Sequence, residues 1–189
     1  MEQPAVELDA AAARRTARRL YSAREIDRAL RRMAADIEPQ LAGKNPVVLA
    51  VMQGGVFAAV ELCRRFRFAH EFDYVHVTRY RGGTAGGDIE WRVRPNERLR
   101  GRTVLVVDDI LDRGHTLAAL TAELGRIGVA AQYTAVLVVK RLATREPRPR
   151  VDFVGVEIDD LYVFGCGMDY RDQWRGLRAL YALDESPPG

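Results

Sequence analysis

The sequence predicts an α/β protein built on a mainly parallel sheet, and three features carry that prediction. Apolar runs of strand length recur without alternation at residues 46–52, 104–107 and 133–140, the pattern of strands buried on both faces of a sheet. Helical patterns lie between them, so strand and helix alternate along the chain. Two of the runs end in glycine-bearing turns that open a helix, as a doubly wound sheet with right-handed crossovers requires. The 189 residues suit a single domain, read as 1–189, that buries roughly 70% of its unfolded surface.

In chain order, residues 1–12 read as a loose N-terminal extension. Ser22 and Glu25 have capping-box spacing and open a helix that runs to about Ala42, with Ile26, Leu30, Met33 and Ile37 at helical spacing. The run 46–52 is a strand, and Gln53-Gly54-Gly55 turns it into a helix over 56–65. A strand over 72–78 leads into the segment 79–89, where four glycines in six residues predict a mobile loop. The strand 104–107, the loop 110–116 and the helix 117–127 follow, then the strand 133–140 and a polar, Pro-containing loop over 143–150. Strands over 151–158 and 162–164 come next, and 174–183 closes the chain as a short helix or strand. No internal repeat or linker divides the chain.

The chemistry concentrates after the 104–107 run. Asp108 and Asp109 fall at the carboxyl end of a central strand, where open α/β sheets place their ligands. The loop that follows carries a third acid, Asp112, and Gly114-His115-Thr116 at the mouth of a helix, whose N–H groups can cradle a phosphate. Paired carboxylates beside a phosphate nest describe a site for a phosphorylated sugar. A strand that merely ends in a polar turn would need neither the third acid nor the Gly-x-Thr.

The stretch 103–117 resembles the phosphoribosyl diphosphate (PRPP) signature of the type I phosphoribosyltransferases. The resemblance runs from about Ser22 to Leu180 and is closest to the family's bacterial hypoxanthine-guanine members. It implies the type I phosphoribosyltransferase fold: a mainly parallel sheet flanked by helices, a small hood built from the terminal segments, and a flexible lid over 79–89. Asp108 and Asp109 would then hold the ribose 2′- and 3′-hydroxyls. Ile110, Leu111, Arg113, Gly114, His115 and Thr116 would form the 5′-phosphate loop, and Asp112 would be the general base near N7 of the purine. Gln53 and Gly54 lie where a Leu-Lys-Gly-Gly loop with a cis peptide cups the diphosphate. Arg79 and Tyr80 lie where the family has its Ser-Tyr lid.

Lys140 ends an apolar run, where a lysine can simply snorkel to the surface. The resemblance instead directs its ammonium to O6 of the base. That group donates to a keto oxygen and meets only a donor in adenine, and such a contact can discriminate by as much as ~10⁴–10⁵. By the same resemblance Tyr162 stacks on the purine and the Val163 backbone bonds its edge. Asp169 faces the base and reaches Mg²⁺ through water, with Asp108 and Asp109 as further carboxylates on the metal side. Arg175 binds the diphosphate. Three positions depart from the family pattern: Gln53 replaces a lysine, Arg79 a serine, and Arg113 a small hydroxyl residue. The implied cofactor is Mg²⁺, the implied substrates are PRPP and a 6-oxopurine base, and the implied assembly is a homodimer or homotetramer.

Composition narrows the alternatives. The chain is ordinary for a globular protein, with 48% hydrophobic and 29% charged residues and a formal net charge of +3. Eight arginines fall between Arg14 and Arg32, but Glu25, Asp27, Asp36 and Glu38 dilute them, so a solvated helix face is preferred to a nucleic-acid patch. Cys63 and Cys166 have neither metal nor disulfide spacing. No run approaches the ~18 apolar residues of a membrane span, and the first residues lack a signal-peptide core. A reduced, cytoplasmic protein without membrane or nucleic-acid partners is expected. The main rival is a non-catalytic PRPP-sensing regulator that binds nucleic acid, yet a pure sensor needs neither Asp112 nor Asp169. A P-loop hydrolase is excluded because Lys44 is followed by Asn45, and Gly165-Cys166-Gly167 lacks the third glycine of a dinucleotide fingerprint. The reaction that the resemblance implies is purine salvage: a 6-oxopurine and PRPP give the 5′-mononucleotide and pyrophosphate.

Overall fold

Ser22 opens the longest helix, α2 (Ala23–Leu41), by the predicted capping box: its Oγ accepts from the Glu25 N–H, and the Glu25 carboxylate accepts from the Ser22 N–H at 2.8 Å. The face bearing Ile26, Leu30, Met33, Ile37 and Leu41 is fully buried. Removing each such side chain from water contributes about 1.5–3 kcal/mol. The computed structural model describes residues 9–79, 89–142 and 147–183.

The central sheet is formed by β2 (Val47–Met52), β3 (Glu71–Arg79), β4 (Ile89–Val93), β5 (Thr103–Leu111), β6 (Ala131–Arg141) and β7 (Phe153–Asp159). Its order is β4-β3-β2-β5-β6-β7. All pairs are parallel except β3 with β4. Helices α2 and α3 (Gly55–Cys63) cover one face over Val48, Ala50, Leu105 and Val107. Helix α4 (His115–Ile127) covers the other over Val47, Leu49, Val51, Val104 and Val106. Successive residues of β2 and β5 thus enter opposite cores, which is why their sequence shows no alternation.

The chain passes from β2 outward to β3, then returns to place β5 on the other side of β2, so the switch point of the sheet lies between β2 and β5. These strands pair only as far as Ala50 with Val107, while β5 stays paired to β6 as far as Leu111 with Val139. Beyond Val107 the two strands part and a crevice opens.

A second, antiparallel sheet joins the two ends of the described chain: β1 (Arg18–Tyr21), β8 (Tyr162–Phe164) and β9 (Leu180–Leu183), in the order β1-β9-β8. Helix α1 (Ala10–Thr16) packs Ala13 into its small core with Phe164, Tyr170, Tyr181 and Leu183. Trp174 Nε1 donates to the Ala10 carbonyl at 2.6 Å, and Arg14 lies 4.0 Å from the Tyr181 ring centroid. This sheet is the hood.

Several elements differ from the sequence expectation. Asp9 caps α1 by accepting from the Ala12 N–H at 2.6 Å, so Ala10–Thr16 is helical where a loose extension to residue 12 was expected. Strand β5 continues through Asp108 to Leu111, which puts Ile110 and Leu111 in the strand and not in the phosphate loop. Helix α4 begins at His115, not Leu117, and residues 174–183 contribute the strand β9. Arg79 ends β3 and Ile89 opens β4. The rest of the lid segment, Tyr80 included, lies outside the described residues, as do 143–146. Among the described residues no helix is long and apolar enough to cross a membrane.

Candidate active site

A cavity of about 1260 Å³ opens at the switch point. Its floor is the parted ends of β2 and β5, and two helix N-termini point into it. Gly54, the N-cap of α3, and Gly114, the N-cap of α4, both line it, and neither helix has a side-chain cap. The first intrahelical bonds run from Phe57 N–H to the Gly54 carbonyl and from Ala118 N–H to the Gly114 carbonyl. The N–H groups before them are left for a ligand, and each helix end carries a partial positive charge.

Glycine is demanded at both turns. Gly114 has φ +84°, and a Cβ there would lie 2.7 Å from Pro149 Cδ. A Cβ on Gly54 would fall 1.6 Å from Asp109 Oδ2, so that carboxylate rests directly on the Gly54 backbone. The peptide between Met52 and Gln53 is cis.

Asp108 and Asp109 stand between the two helix ends. Asp108 is only 8% exposed, and its Oδ1 accepts from the Asp109 N–H at 2.9 Å. Asp109 Oδ1 accepts from the Ile110 N–H at 2.9 Å. Burial first, and then the charge of Asp109, push the Asp108 carboxyl well above its ordinary value. Burial also raises Asp109, opposed by hydrogen bonds from Asp108 and Ile110 and by the charge of Arg175. Burial thus raises both carboxyls, and Asp108, which has no cationic partner among the described residues, is raised the more strongly.

The hood supplies the opposite wall. Arg175 Nη2 pairs with Asp169 Oδ1 at 2.8 Å, and its Nη1 donates to the Gly167 carbonyl at 3.0 Å. A Cβ on Gly167 would lie 2.1 Å from the Gly54 carbonyl oxygen. The hood thus meets the α3 turn backbone to backbone.

These features suit a ligand with an anionic group at each end and hydroxyls between. Residues 16–172 match the phosphoribosyl transferase domain family. The chain belongs to that family. A hypoxanthine-guanine-xanthine phosphoribosyltransferase of Tritrichomonas foetus is 30% identical to it over 167 residues, 88% of this chain and 91% of the relative. A hypoxanthine-guanine phosphoribosyltransferase of Streptococcus pneumoniae is also 30% identical over 167 residues, 88% of this chain and 92% of the relative. The solved structure of a Trypanosoma cruzi hypoxanthine phosphoribosyl transferase superimposes with a TM-score of 0.80 at 28% identity, covering 88% of this chain and 90% of that one.

In this phosphoribosyltransferase the cavity gathers Gln53, Gly54, Asp108, Asp109, Ile110, Leu111, Asp112, Gly114, Thr116, Asp169 and Arg175 from the sequence-predicted set. Arg113, in the loop before α4, and His115, the first residue of α4, do not line it. Lys140 stands at its margin: Nζ is 2.9 Å from Asp160 Oδ1 and 4.0 Å from Asp112 Oδ1. Tyr162 and Val163 lie in the hood, where the Tyr162 hydroxyl donates to the Asp169 carbonyl at 3.2 Å and Val163 pairs with Ala182. Among the described residues no cluster of three or more His, Cys, Asp or Glu side chains could hold a metal by itself.

Sequence reasoning missed one wall. His76 and Thr78 of β3, Glu90 and Arg92 of β4, and Asp172 also line the cavity. The alternation Ile89-Glu90-Trp91-Arg92-Val93 is an edge-strand signal that could have found β4. The neighbouring glycines hid it.

Proposed function

We infer that this phosphoribosyltransferase is a purine salvage enzyme that transfers the 5-phosphoribosyl group of PRPP to hypoxanthine, guanine or both. The observation that carries this reading is the spacing of two uncapped helix N-termini on either side of the Asp108–Asp109 pair. PRPP has that pattern, with a 5′-phosphate, a diol and a 1-diphosphate in order along one sugar. The α4 mouth takes the 5′-phosphate through backbone N–H groups and the Thr116 hydroxyl. Asp108 and Asp109 accept from the 3′- and 2′-hydroxyls. The Gln53-Gly54 turn and Arg175 take the diphosphate. The names of the relatives supply the base.

In the reaction the purine N9 forms a bond to C1′ while the bond from C1′ to the diphosphate oxygen breaks. C1′ passes through a state with oxocarbenium character, and negative charge grows on the leaving diphosphate. The α3 dipole and Arg175 offset that charge without reorganising. Asp112 takes the proton released from N7, Lys140 donates to O6, and Tyr162 covers the ring. The carboxylate-rich lining, hard oxygen donors with no closed cage, fits Mg²⁺, which retains waters and takes substrate oxygens. Asp169 would hold it through water with Asp108 and Asp109 nearby, and when bound the ion neutralises diphosphate charge.

Against the rival reading as a nucleic-acid-binding regulator, three of the arginines of 14–32 are engaged within the fold: Arg14 stacks on Tyr181, Arg31 pairs with Asp27, and Arg32 donates to the Gly155 carbonyl. A homodimer or homotetramer is supported by the exposed side chains of Val56, Val60, Phe72 and Tyr74. Light scattering that returns only a monomer mass would overturn that assembly.

The test of function is nucleotide formation from PRPP and Mg²⁺ with hypoxanthine, guanine, xanthine and adenine offered separately. Turnover of oxopurines and not adenine is expected; none with any base overturns the reading. Asp112→Asn should lower turnover by roughly 10²–10⁴, and wild-type turnover in that variant would remove Asp112 from the role of base.

A further inference from the structure

The ladder between β5 and β6 ends at Leu111 paired with Val139. The next residue on each strand is one that the proposed function assigns to the base: Asp112 on one side and Lys140 on the other. No strand pairing holds these two together, and Arg148 stands across the gap. Its Nη1 donates to the Lys140 carbonyl at 2.7 Å and to the Asp112 carbonyl at 3.1 Å. Pro149, the next residue, packs against Gly114 so closely that a Cβ on that glycine would be 2.7 Å from Pro149 Cδ. A charged donor shared by two carbonyls therefore replaces the rung that the sheet lacks, and Pro149 seats it against the loop.

The position matters because N7 and O6 lie on the same edge of an oxopurine, whereas adenine presents N7 and an amino donor there. A carboxylate for N7 and an ammonium for O6 must keep one fixed separation to read that edge. Here Asp112 Oδ1 and Lys140 Nζ are 4.0 Å apart, and their main chains are joined through a single guanidinium. We propose that Arg148 is a positioning residue for base recognition, holding the Asp112 loop and the end of β6 at the separation that reads the N7–O6 edge. This rests on the roles given to Asp112 and Lys140 above. Arg148 does not line the cavity, and it acts through the two residues whose backbone it joins.

Arg148→Ala, Arg148→Lys and Arg148→Gln test the proposal. Steady-state rates are measured against each base and against PRPP, and the Kd of Mg²⁺·PRPP is measured by calorimetry. Arg148→Ala should lower kcat/KM for hypoxanthine and guanine by about 10- to 100-fold, as expected for a sub-ångström loss of alignment. It should also narrow the preference over adenine, while the Kd of PRPP stays within about twofold. Lysine keeps a cationic donor and should restore part of the loss. A merely structural arginine would weaken PRPP and base terms together, and that result, or no change in either, overturns the proposal. Should Arg148→Ala fail to fold, Arg148→Gln, a shorter and uncharged donor, is read by the same split. A wild-type protein inactive with all four bases refutes the proposed function itself; an active wild type matched by its Arg148 variants refutes only the positioning role.

Discussion

Asp108 stores a conflict at the scale of single residues. Its carboxyl is buried beside another, and burial together with the neighbouring charge of Asp109 raises its pKa. For an acid shifted upward, the stabilising share is present below the unfolded value of 3.8 and is lost as pH rises through the folded one. At neutral pH the empty protein therefore carries a penalty that Asp108→Asn removes. The melting temperature of ligand-free Asp108→Asn should exceed that of wild type at pH 7–8, by about 2–4 °C per kcal/mol relieved. The difference should shrink toward pH 4, and Mg²⁺·PRPP should stabilise only the wild type. A difference that grows on acidification would contradict the assignment. At this scale the chemistry of the site was legible where it was local in sequence: Asp108, Asp109, Asp112, Gly114 and Thr116 sit within one turn of chain. His76 and Arg92 were not, because only the pairing of β3 with β4 turns them toward the same cavity.

Elements were read best where one physical demand dominates. Strands β2, β5 and β6 are buried on both sides and show it in unbroken apolar runs. Helix α2 announces its start through Ser22 and Glu25. Ser22→Ala removes the Oγ that accepts from the Glu25 N–H and should cost about 0.5–2 kcal/mol. Thermal melts should show a fall of about 2–4 °C per kcal/mol, with base and PRPP kinetics unchanged. No change in melting temperature would mean that water replaces the cap. Strands β1 and β4 stayed hidden for a common reason. Each owes its extended form to a partner and not to its own composition: Arg18-Arg19-Leu20-Tyr21 becomes a strand by pairing with β9, and β4 is an edge strand half open to solvent. Helix α1 was missed because its anchor, the Ala10 carbonyl under Trp174, is provided from the far end of the chain.

The whole molecule divides its ligand between two bodies. The sheet side, with α3, α4, Asp112 and Lys140, holds the groups assigned to the ribose, its 5′-phosphate and the N7–O6 edge of the base. The hood holds Tyr162, Val163, Asp169 and Arg175, assigned to the purine ring, the metal side and the diphosphate. The division follows from the fold class, which the alternation of strands and helices made readable. The hood itself could be anticipated only through the family resemblance. Its central contact, Arg18 opposite Ala182, joins residues that almost the whole chain separates. Closing so long a loop is entropically expensive until the intervening sheet has formed. The hood must therefore be the last part of the protein to assemble and the first to come apart. Native-state amide exchange should show β1, β8 and β9 opening at lower free energy than β2, β5 and β6, and exchange of all six strands in a single cooperative event would refute that order. A protein that loosens in this sequence gives up Tyr162 over the purine and Arg175 on the diphosphate while its sheet still holds the ribose phosphate.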